Sequence, residues 1–423
     1  WETKMKRLIF AILGFGVIGA SGAIAQVPEA EWEQFKAQFA LMSQRVNALE
    51  MENQQLRALT NTTLIEENLE ATNAEVASLQ ESTRKMSWSE RIKWKGDYRF
   101  RYEAIDQEGK DDRDRWRIRA RPALVARIND TTEVGFGLAT GSDDPVSSNQ
   151  TLGDGGASKN INLDLAYATW RPTNETYVTG GIFANPYYRP DKSQLIFDGD
   201  FRQEGLAVGW ANEMFFTNVV YNFIESDSKK GEYGVWVAQA GANFELFEDA
   251  TLTTAVGYLD IPTKGQKAIF DGLFFGNSSV PDANGVEVYE YDYTVYNASL
   301  ALALTAFDMP LSLYADYVKN TDADELNTGY LAGVRLGKVK KKGDWQVQYQ
   351  YEDLDANATL GVITNSDFAG GGTDNRGSRF SAAYGVDDKW YVATTYYFDN
   401  TRGVKLGDDV SYDRIQLDTG FKY

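Results

Sequence analysis

The stretch from Ile92 to Ile128 constrains the fold most strongly, because it contains two runs in which apolar and charged residues alternate. Successive side chains of a β-strand point to opposite faces, so each run predicts a strand with one apolar and one charged face. The apolar faces are rich in aromatic residues and long enough to cross a bilayer at a tilt, which takes about 9–11 residues. The charged faces cannot enter a packed core, because unpaired buried charges are costly. The pattern is typical of a transmembrane β-barrel; the alternative is a half-exposed sheet of a soluble protein.

The charged faces of these two strands predict the residues that line the interior of such a barrel. Only two acids, Asp97 and Glu103, share these faces with the basic residues, so the hairpin presents a strongly basic inner wall. Asp164, on a later alternating stretch, is expected to line the same interior. The basic pore-lining residues are Lys93, Lys95, Arg99, Arg101, Arg115, Arg117, Arg119, Arg121 and Arg127.

Composition supports a barrel and excludes several classes of protein. Hydrophobic residues make up 43% of the chain and aromatic residues 13%, but no long apolar run follows the N-terminal region. A transmembrane β-barrel explains this, because its membrane-facing residues alternate with polar ones and never form a continuous apolar run. The net charge of −19 argues against nucleic-acid binding, which needs a basic surface. Histidine and cysteine are absent, which excludes disulfides, thiolate or histidine metal sites and histidine-dependent hydrolysis. We therefore expect no catalytic residue, metal site or cofactor.

The N-terminal region has the features of a secretory signal peptide. Met5 is followed by two basic residues, an apolar stretch at 8–18 and the small-x-small sequence Ala23-Ile24-Ala25. This pattern predicts a signal peptide at 5–25 and a mature chain that begins at Gln26. The alternative, a membrane anchor helix, fits less well because the apolar stretch is short and rich in glycine.

A helical segment is predicted over 26–86, because apolar residues recur there every three or four positions. The spacing is that of a coiled-coil seam with a phase slip near 61–63. We interpret it as a parallel coiled coil between subunits, whose aromatic core positions favour three strands; the alternative is an amphipathic helix docked on the barrel. The seam residues are Trp32, Phe35, Phe39, Met42, Val46, Leu49, Asn53 and Leu56.

The remaining chain, 87–423, has a regular spacing of short turns and long loops that predicts sixteen strands. Turn-forming residues mark the short connections, whereas longer polar stretches separate the hairpins. The short turns are predicted at 129–130, 173–175, 212–213, 247–250, 306–310, 340–344 and 387–389. An even strand number places both termini on the short-turn side, which faces the periplasm in outer-membrane barrels. The predicted fold is all-β: a sixteen-stranded antiparallel transmembrane β-barrel preceded by an N-terminal α-helical coiled coil, located in the periplasm.

Small residues on the inner faces of two strands suggest that a segment folds into the barrel. Gly135, Gly137 and Ala139 share one inner face, and Gly205, Ala207, Gly209 and Ala211 share another. These residues either weaken the strands at bends or make room for a loop. The favoured candidate is the third long loop, 185–201, which is expected to narrow the channel. Its constriction residues are Tyr187, Tyr188, Arg189, Asp191, Lys192, Asp198 and Asp200.

Several motifs resemble those of the bacterial putative porin family, outer-membrane porins with an N-terminal coiled coil. The resemblance rests on the sequences RIKWKGDYRFRY at 91–102, RWRIRAR at 115–121, GSDDPVSSNQTLG at 141–153 and SQLIFD at 193–198. It implies a sixteen-stranded, trimeric channel for small hydrophilic solutes, without fixing a substrate or separating a general porin from a phosphate-selective one.

The favoured function is therefore passive diffusion of small hydrophilic solutes and ions across the bacterial outer membrane. The net negative charge favours cations, but the basic first hairpin should outweigh acids in distant loops, so we expect a weak anion preference. The alternative is that the ladder of arginines only balances acids across the lumen, with Glu133, Asp164, Asp191, Asp198 and Asp200 as candidates. Other functions to weigh are a structural tether that joins the coiled coil to peptidoglycan, and a phosphate- or anion-selective channel. The expected partners are outer-membrane lipid and two further copies of the chain.

Overall fold

A computed structural model of the protein describes residues 29–59, 70–78, 91–226, 233–407 and 409–423. The predicted signal peptide at 5–25 and the phase slip at 61–63 lie outside the described residues. The chain divides into two compact units, 1–86 and 87–423.

The N-terminal unit contains a long helix, α1, that begins at Glu29 and ends at Leu59, and a shorter helical segment at 70–78. The side chain of Trp32 lies outside the described part, but the predicted seam residues from Phe35 to Leu56 are exposed. Phe35 and Phe39 stack on one another, with ring centroids 6.4 Å apart. The helix therefore presents an apolar stripe at its own surface. No helix in the described ranges has the length and apolarity that crossing a bilayer requires.

The second unit is a closed barrel of sixteen long antiparallel strands. Three short strands accompany them: β4 pairs with β2, and β11 and β12 form a separate hairpin. In chain order the strands are β1 (Ile92–Gln107), β2 (Arg113–Arg127), β3 (Thr132–Thr140), β4 (Gln150–Thr151), β5 (Ile161–Trp170), β6 (Thr176–Ala184), β7 (Arg202–Ala211), β8 (Phe215–Glu225), β9 (Tyr233–Phe247), β10 (Ala250–Ile261), β11 (Ser279–Pro281), β12 (Glu287–Tyr289), β13 (Tyr293–Ala306), β14 (Met309–Asn320), β15 (Thr328–Gly337), β16 (Trp345–Leu354), β17 (Asn375–Asp387), β18 (Trp390–Arg402) and β19 (Val410–Lys422).

The first and last strands close the barrel. β1 pairs with β19 in one continuous register, from Asp97 opposite Lys422 to Gln107 opposite Tyr412. The other edge of β1 pairs with β2. Closure gives each long strand a hydrogen-bonded neighbour on both sides, which a lipid environment requires.

The predicted sixteen-stranded barrel is confirmed. The short connections fall at the predicted turns, and alternation assigns the two faces of the wall as expected. On β1 and β2, Trp94 and Trp116 are exposed on the outer surface, whereas Arg101 and Glu103 are buried inside the barrel.

The small residues on the inner faces accommodate aromatic rings as well as a loop. A methyl group at Gly135 would overlap the ring of Tyr167, and one at Gly209 would overlap the ring of Tyr177, each directly across from it on the next strand. Ala207, in contrast, is fully buried in a cluster that includes residues of the loop 185–201. The rings of Tyr167 and Tyr177 thus occupy the space beside Gly135 and Gly209, whereas Ala207 belongs to the core that the loop joins.

A substitution at Gly205 tests how closely β7 and β8 approach each other. A methyl group there would collide with the backbone carbonyl oxygen of Tyr221 on β8, so Gly205→Ala should destabilise the barrel by about 1–3 kcal/mol. The control is Gly180→Ala on β6, where a methyl group would meet Leu206 at an ordinary distance of 3.7 Å. Urea unfolding of the barrel in lipid vesicles, followed by tryptophan fluorescence, measures both variants. Equal stability of the two would contradict the close approach.

Candidate functional site

Three adjacent strands build an arginine-rich inner wall. The register places Arg99 opposite Arg119 and Arg101 opposite Arg117, between β1 and β2. Arg414 of β19 lies opposite Ile105, on the other side of β1. Like charges that face each other across a strand pair repel, so this wall needs counter-ions to fold.

Three carboxylates of the same strands supply part of the neutralisation. Asp97 contacts Arg119 at 3.0 Å and Arg121 at 2.6 Å. Glu103 contacts Arg115 at 2.8 Å and Arg414 at 2.8 Å, and its side chain is fully buried. Asp418 receives the Nε–H of Arg101 at 2.7 Å. The acids thus interleave with the arginines along the wall.

Two further carboxylates reach this wall from loops. Asp200, at the end of the loop 185–201, contacts Arg121 at 2.7 Å and Arg119 at 3.3 Å. Asp367, in the loop 355–374, contacts Arg101 at 3.1 Å and Arg414 at 2.8 Å. Burial by itself would raise the pKa of Asp367, but Arg414 and Arg101 hold that pKa well below its usual range. Both loops are therefore bound to the wall by ionised carboxylates.

The other acids proposed to balance the arginine ladder lie elsewhere. Asp164 pairs with Arg202 at 3.0 Å, and Asp191 pairs with Arg335 at 2.8 Å. Glu133 is half-buried and makes no ion pair with any described residue. Of the five candidates, only Asp200 contacts the ladder directly. Asp367 and Asp418, which sequence analysis did not select, supply the rest.

The predicted pore-lining residues at the short-turn end of the wall differ from the central arginines. Lys93, Lys95 and Arg127 are exposed, and they form no ion pair within the described residues. Arg99 is mostly buried and donates to the side chain of Asn149, a residue of the second long loop. The structure thus brings together the arginines from 99 to 121 and leaves the three outer basic residues apart from them.

The loop 185–201 crosses the interior of the barrel. Tyr187 donates to Asn297 of β13 at 2.8 Å, and the Tyr188 amide donates to Gln239 of β9 at 2.7 Å. Further along, Ser193 donates to Asp316 of β14 at 2.7 Å. Because its far end reaches the arginines of β2, the loop joins strands on opposite sides of the barrel.

The positions of the remaining predicted loop residues follow from this path. Arg189 donates to the carbonyl oxygen of Phe197 at 2.7 Å, which braces the loop internally. Lys192 is exposed inside the barrel and has no ion pair in the part of the chain that the structure describes. Asp198 is buried and accepts hydrogen bonds from the backbone amides of Asp200 and Ser366.

One side of the interior is an apolar core rather than a wet surface. Leu195, Ile196 and Phe197 of the crossing loop are almost completely buried. They pack against inward-facing residues of β9, β10, β13, β14 and β15, namely Val235, Val237, Leu259, Ile261, Val295, Val318 and Leu331. Burying each such loop side chain contributes about 1.5–3 kcal/mol, which holds the loop against this side. The expected charge-lined lumen is thus confined to the remaining part of the interior.

A second loop, 355–374, also folds inward, which the sequence patterns described above do not predict. Its residues 355–365 are all buried, and Leu360, Val362 and Ile363 join the apolar core. The side-chain amide of Asn277, from the loop 262–292, donates to the carbonyl oxygens of Ala356 and Thr359. The uncharged sequence from 356 to 363 was the available signal, because a loop without charges is unusual at a solvent-exposed surface.

The described residues contain no group of carboxylates that could hold a metal ion. The chemistry that the wall offers is instead the binding and orientation of charged solutes. Paired guanidinium and carboxylate groups, kept partly accessible inside the barrel, can exchange hydrogen bonds with ions and polar solutes.

Comparison with known proteins agrees with this architecture. The profile of a protein family described as putative porin matches residues 106–268 and 285–423. No curated protein matches the sequence. The barrel resembles the structure of OprB from Pseudomonas putida, with a TM-score of 0.54 and 12% identity over 81% of this chain and 97% of that chain. OmpF of Salmonella typhi has a TM-score of 0.46 and 12% identity over 78% of this chain and 97% of that chain. At such identities the likeness concerns the fold alone.

The raised pKa of Asp198 leads us to predict that ion selectivity depends on pH. It lies in the crossing loop, outside the membrane-spanning strands; burial and the neighbouring charge of Asp200 raise its pKa to about 7. Asp367 is the other carboxylate that acts on it, and Arg189 is a nearby cation. Raising the pH from about 6 to about 8 should ionise Asp198, add negative charge to the loop and lower the preference for anions. Reversal potentials measured over this range should shift in the wild type and stay constant in Asp198→Asn; an equal shift in both would assign the titration to another group.

Proposed function

Because the chain belongs to the putative porin family, we propose that it forms an outer-membrane channel through which small hydrophilic solutes and ions diffuse passively. The observation that carries this proposal is the closed barrel whose outer face is apolar and whose inner face holds accessible, paired charges. Side chains of the wall such as Arg121 and Asp97 keep about a fifth of their surface exposed, at 20% and 22%, which a sealed core would not leave. This exposure supports a solvent-filled passage beside the wall.

We place the constriction between the loop 185–201 and the strands β17, β18, β19 and β1. The apolar core fills the opposite side of the interior, so the passage runs along this wall. We assign to it Arg99, Arg379 and Lys192, together with the ion pair of Asp191 and Arg335. Arg379 donates to Gln350 and forms no ion pair with a described residue. Four of the five residues assigned to the constriction are basic, so we expect its charge to be mainly positive.

A weak preference for anions follows from the balance of charges along the arginine wall. The network contains the arginines 99, 101, 115, 117, 119, 121 and 414, and the carboxylates of Asp97, Glu103, Asp200, Asp367 and Asp418. The cations therefore outnumber the acids by two. This small excess supports a mild selectivity rather than the strong one that the hairpin sequence alone would give.

Passive diffusion predicts solute flux without a saturable carrier step. Liposomes that contain the purified protein should swell in isosmotic sugar solutions, at rates that fall steeply as the sugar becomes larger. Empty liposomes are the control. Absence of swelling with the smallest sugars would contradict an open passage.

The arginine wall predicts the direction of selectivity change in a variant. Replacing Arg117 and Arg119 with Ala removes the local excess of positive charge, so the permeability ratio should shift towards cations by about twofold or more. The matched control replaces Lys264 and Lys267, two exposed lysines of a long loop, and should leave the ratio unchanged. Reversal potentials in a salt gradient measure both. No shift in the arginine variant would show that the arginine wall does not set the selectivity.

We further propose that the channel is a homotrimer joined by a periplasmic coiled coil over 26–86. The exposed apolar stripe of α1, which includes Phe39, Met42, Val46 and Leu49, supports this assembly, because a coiled coil would bury it against the same residues of other copies. A role of the helix in binding peptidoglycan has no specific contact in its favour.

Deleting residues 29–79 should leave the barrel folded and weaken the oligomer. The barrel unit retains its own strand pairing, whereas the seam is lost. Light scattering of the purified protein in detergent measures the oligomer, and circular dichroism measures the strand content. A second variant deletes only 70–79; because it keeps the seam residues of α1, it should weaken the oligomer less. An oligomer of unchanged stability without the seam would show that the helix serves another purpose.

A further inference from the structure

A basic cavity opens at the long-loop end of the arginine wall. Its volume is about 320 Å³, enough for a small organic ion. β1, β2, β18 and β19 form its walls together with the loops 108–112 and 355–374. It lies beyond the ion pairs of Asp367 and is separate from the constriction proposed above.

Positive charge dominates the lining of this cavity. Five basic side chains face a single acidic one, Asp111, although the whole chain carries a net charge of −19. The basic residues are Lys110, Arg113, Arg115, Arg402 and Arg414. Lys110, Arg113 and Arg402 form no ion pair among the described residues, whereas Arg115 and Arg414 share the buried Glu103. The cavity thus holds cations whose charge its own walls do not neutralise.

Arg414 is only 3% exposed, and its Nε–H has no acceptor in the described part of the chain. Its Nη2 atom already binds a carboxylate that enters from a loop, Asp367, at 2.8 Å. Arginine forks match the planar or tetrahedral oxygens of carboxylates and phosphates, and they favour these groups over a spherical chloride ion. Tyr412 adds a hydroxyl group to the lining, which suits the same oxygens.

We infer that this cavity is a binding site for small oxyanions, solutes that carry a carboxylate or a phosphate, and that it concentrates them at the mouth of the channel. The inference rests on the proposed function, since the site would feed a passage along the same wall. Arg113 and Arg402 are the principal ligands, because they are the arginines of the lining that have no carboxylate partner among the described residues. Arg115 and Arg414 stay bound to Glu103, so they contribute positive electrostatic potential to the cavity rather than direct contacts with the ligand.

Binding is tested on the full-length protein in detergent, where no transport is needed. Line broadening of inorganic phosphate in phosphorus NMR and saturation transfer to succinate in proton NMR report the two classes of oxyanion. Both probes should bind saturably at low chloride. The double variant Arg113→Gln and Arg402→Gln should raise the Kd by about tenfold or more, because each substitution removes a charge-assisted hydrogen bond. The matched control, Lys264→Gln with Lys267→Gln, removes two exposed charges from another long loop and should leave the Kd unchanged.

The outcomes separate this site from the channel function. The site is established if binding is saturable, if the arginine variant weakens it and if the lysine variant does not. The probe that binds, phosphate, succinate or both, then identifies the class of oxyanion. No saturable binding, or equal weakening in both variants, would overturn it. If binding is as expected but the protein conducts no ions in a bilayer, the channel proposal is wrong and the proposed binding site is still supported. If the protein conducts but does not bind either probe, the site fails alone.

Discussion

The pairing of β1 with β19 is the constraint on which the rest of the structure depends. In lipid, each backbone amide and carbonyl group needs a partner within the protein, and closure supplies it for both ends of the sheet. Once the sheet is closed, alternate side chains must face either lipid or the interior. Aromatic and aliphatic residues then occupy the outer face, and the charges of β1, β2 and β19 have only the interior left.

These charges repel one another in the interior, and carboxylates from two loops neutralise part of them. The register places arginine opposite arginine at two successive levels between β1 and β2. The acids on the strands are too few, so Asp200 and Asp367 reach the wall from two different loops. Each loop is also held by apolar side chains in the core on the opposite side. The loops therefore neutralise the wall and fill part of the interior through the same fold.

Sequence patterns predict the parts of this structure that depend on neighbours in the chain. Alternation identifies the strands and their inward residues, and turn-forming residues locate the short connections. Loop 185–201 is predictable as an inward segment because it combines aromatic and charged residues. The ion pairs are not predictable in this way, because their partners are distant in the chain. Asp367 lies 266 residues from Arg101, and no local pattern links them. Asp164 and Asp191 were candidates to balance the arginine ladder, but each pairs with an arginine outside it, Arg202 and Arg335 respectively.

We propose that solutes pass through the barrel along a wall with a small excess of positive charge. Reversal potentials of the unmodified protein in a planar bilayer, under a gradient of potassium chloride, test it most directly. We predict stepwise conductance and a reversal potential displaced slightly towards that of chloride. Absence of conductance, or a reversal potential close to that of potassium, would contradict it.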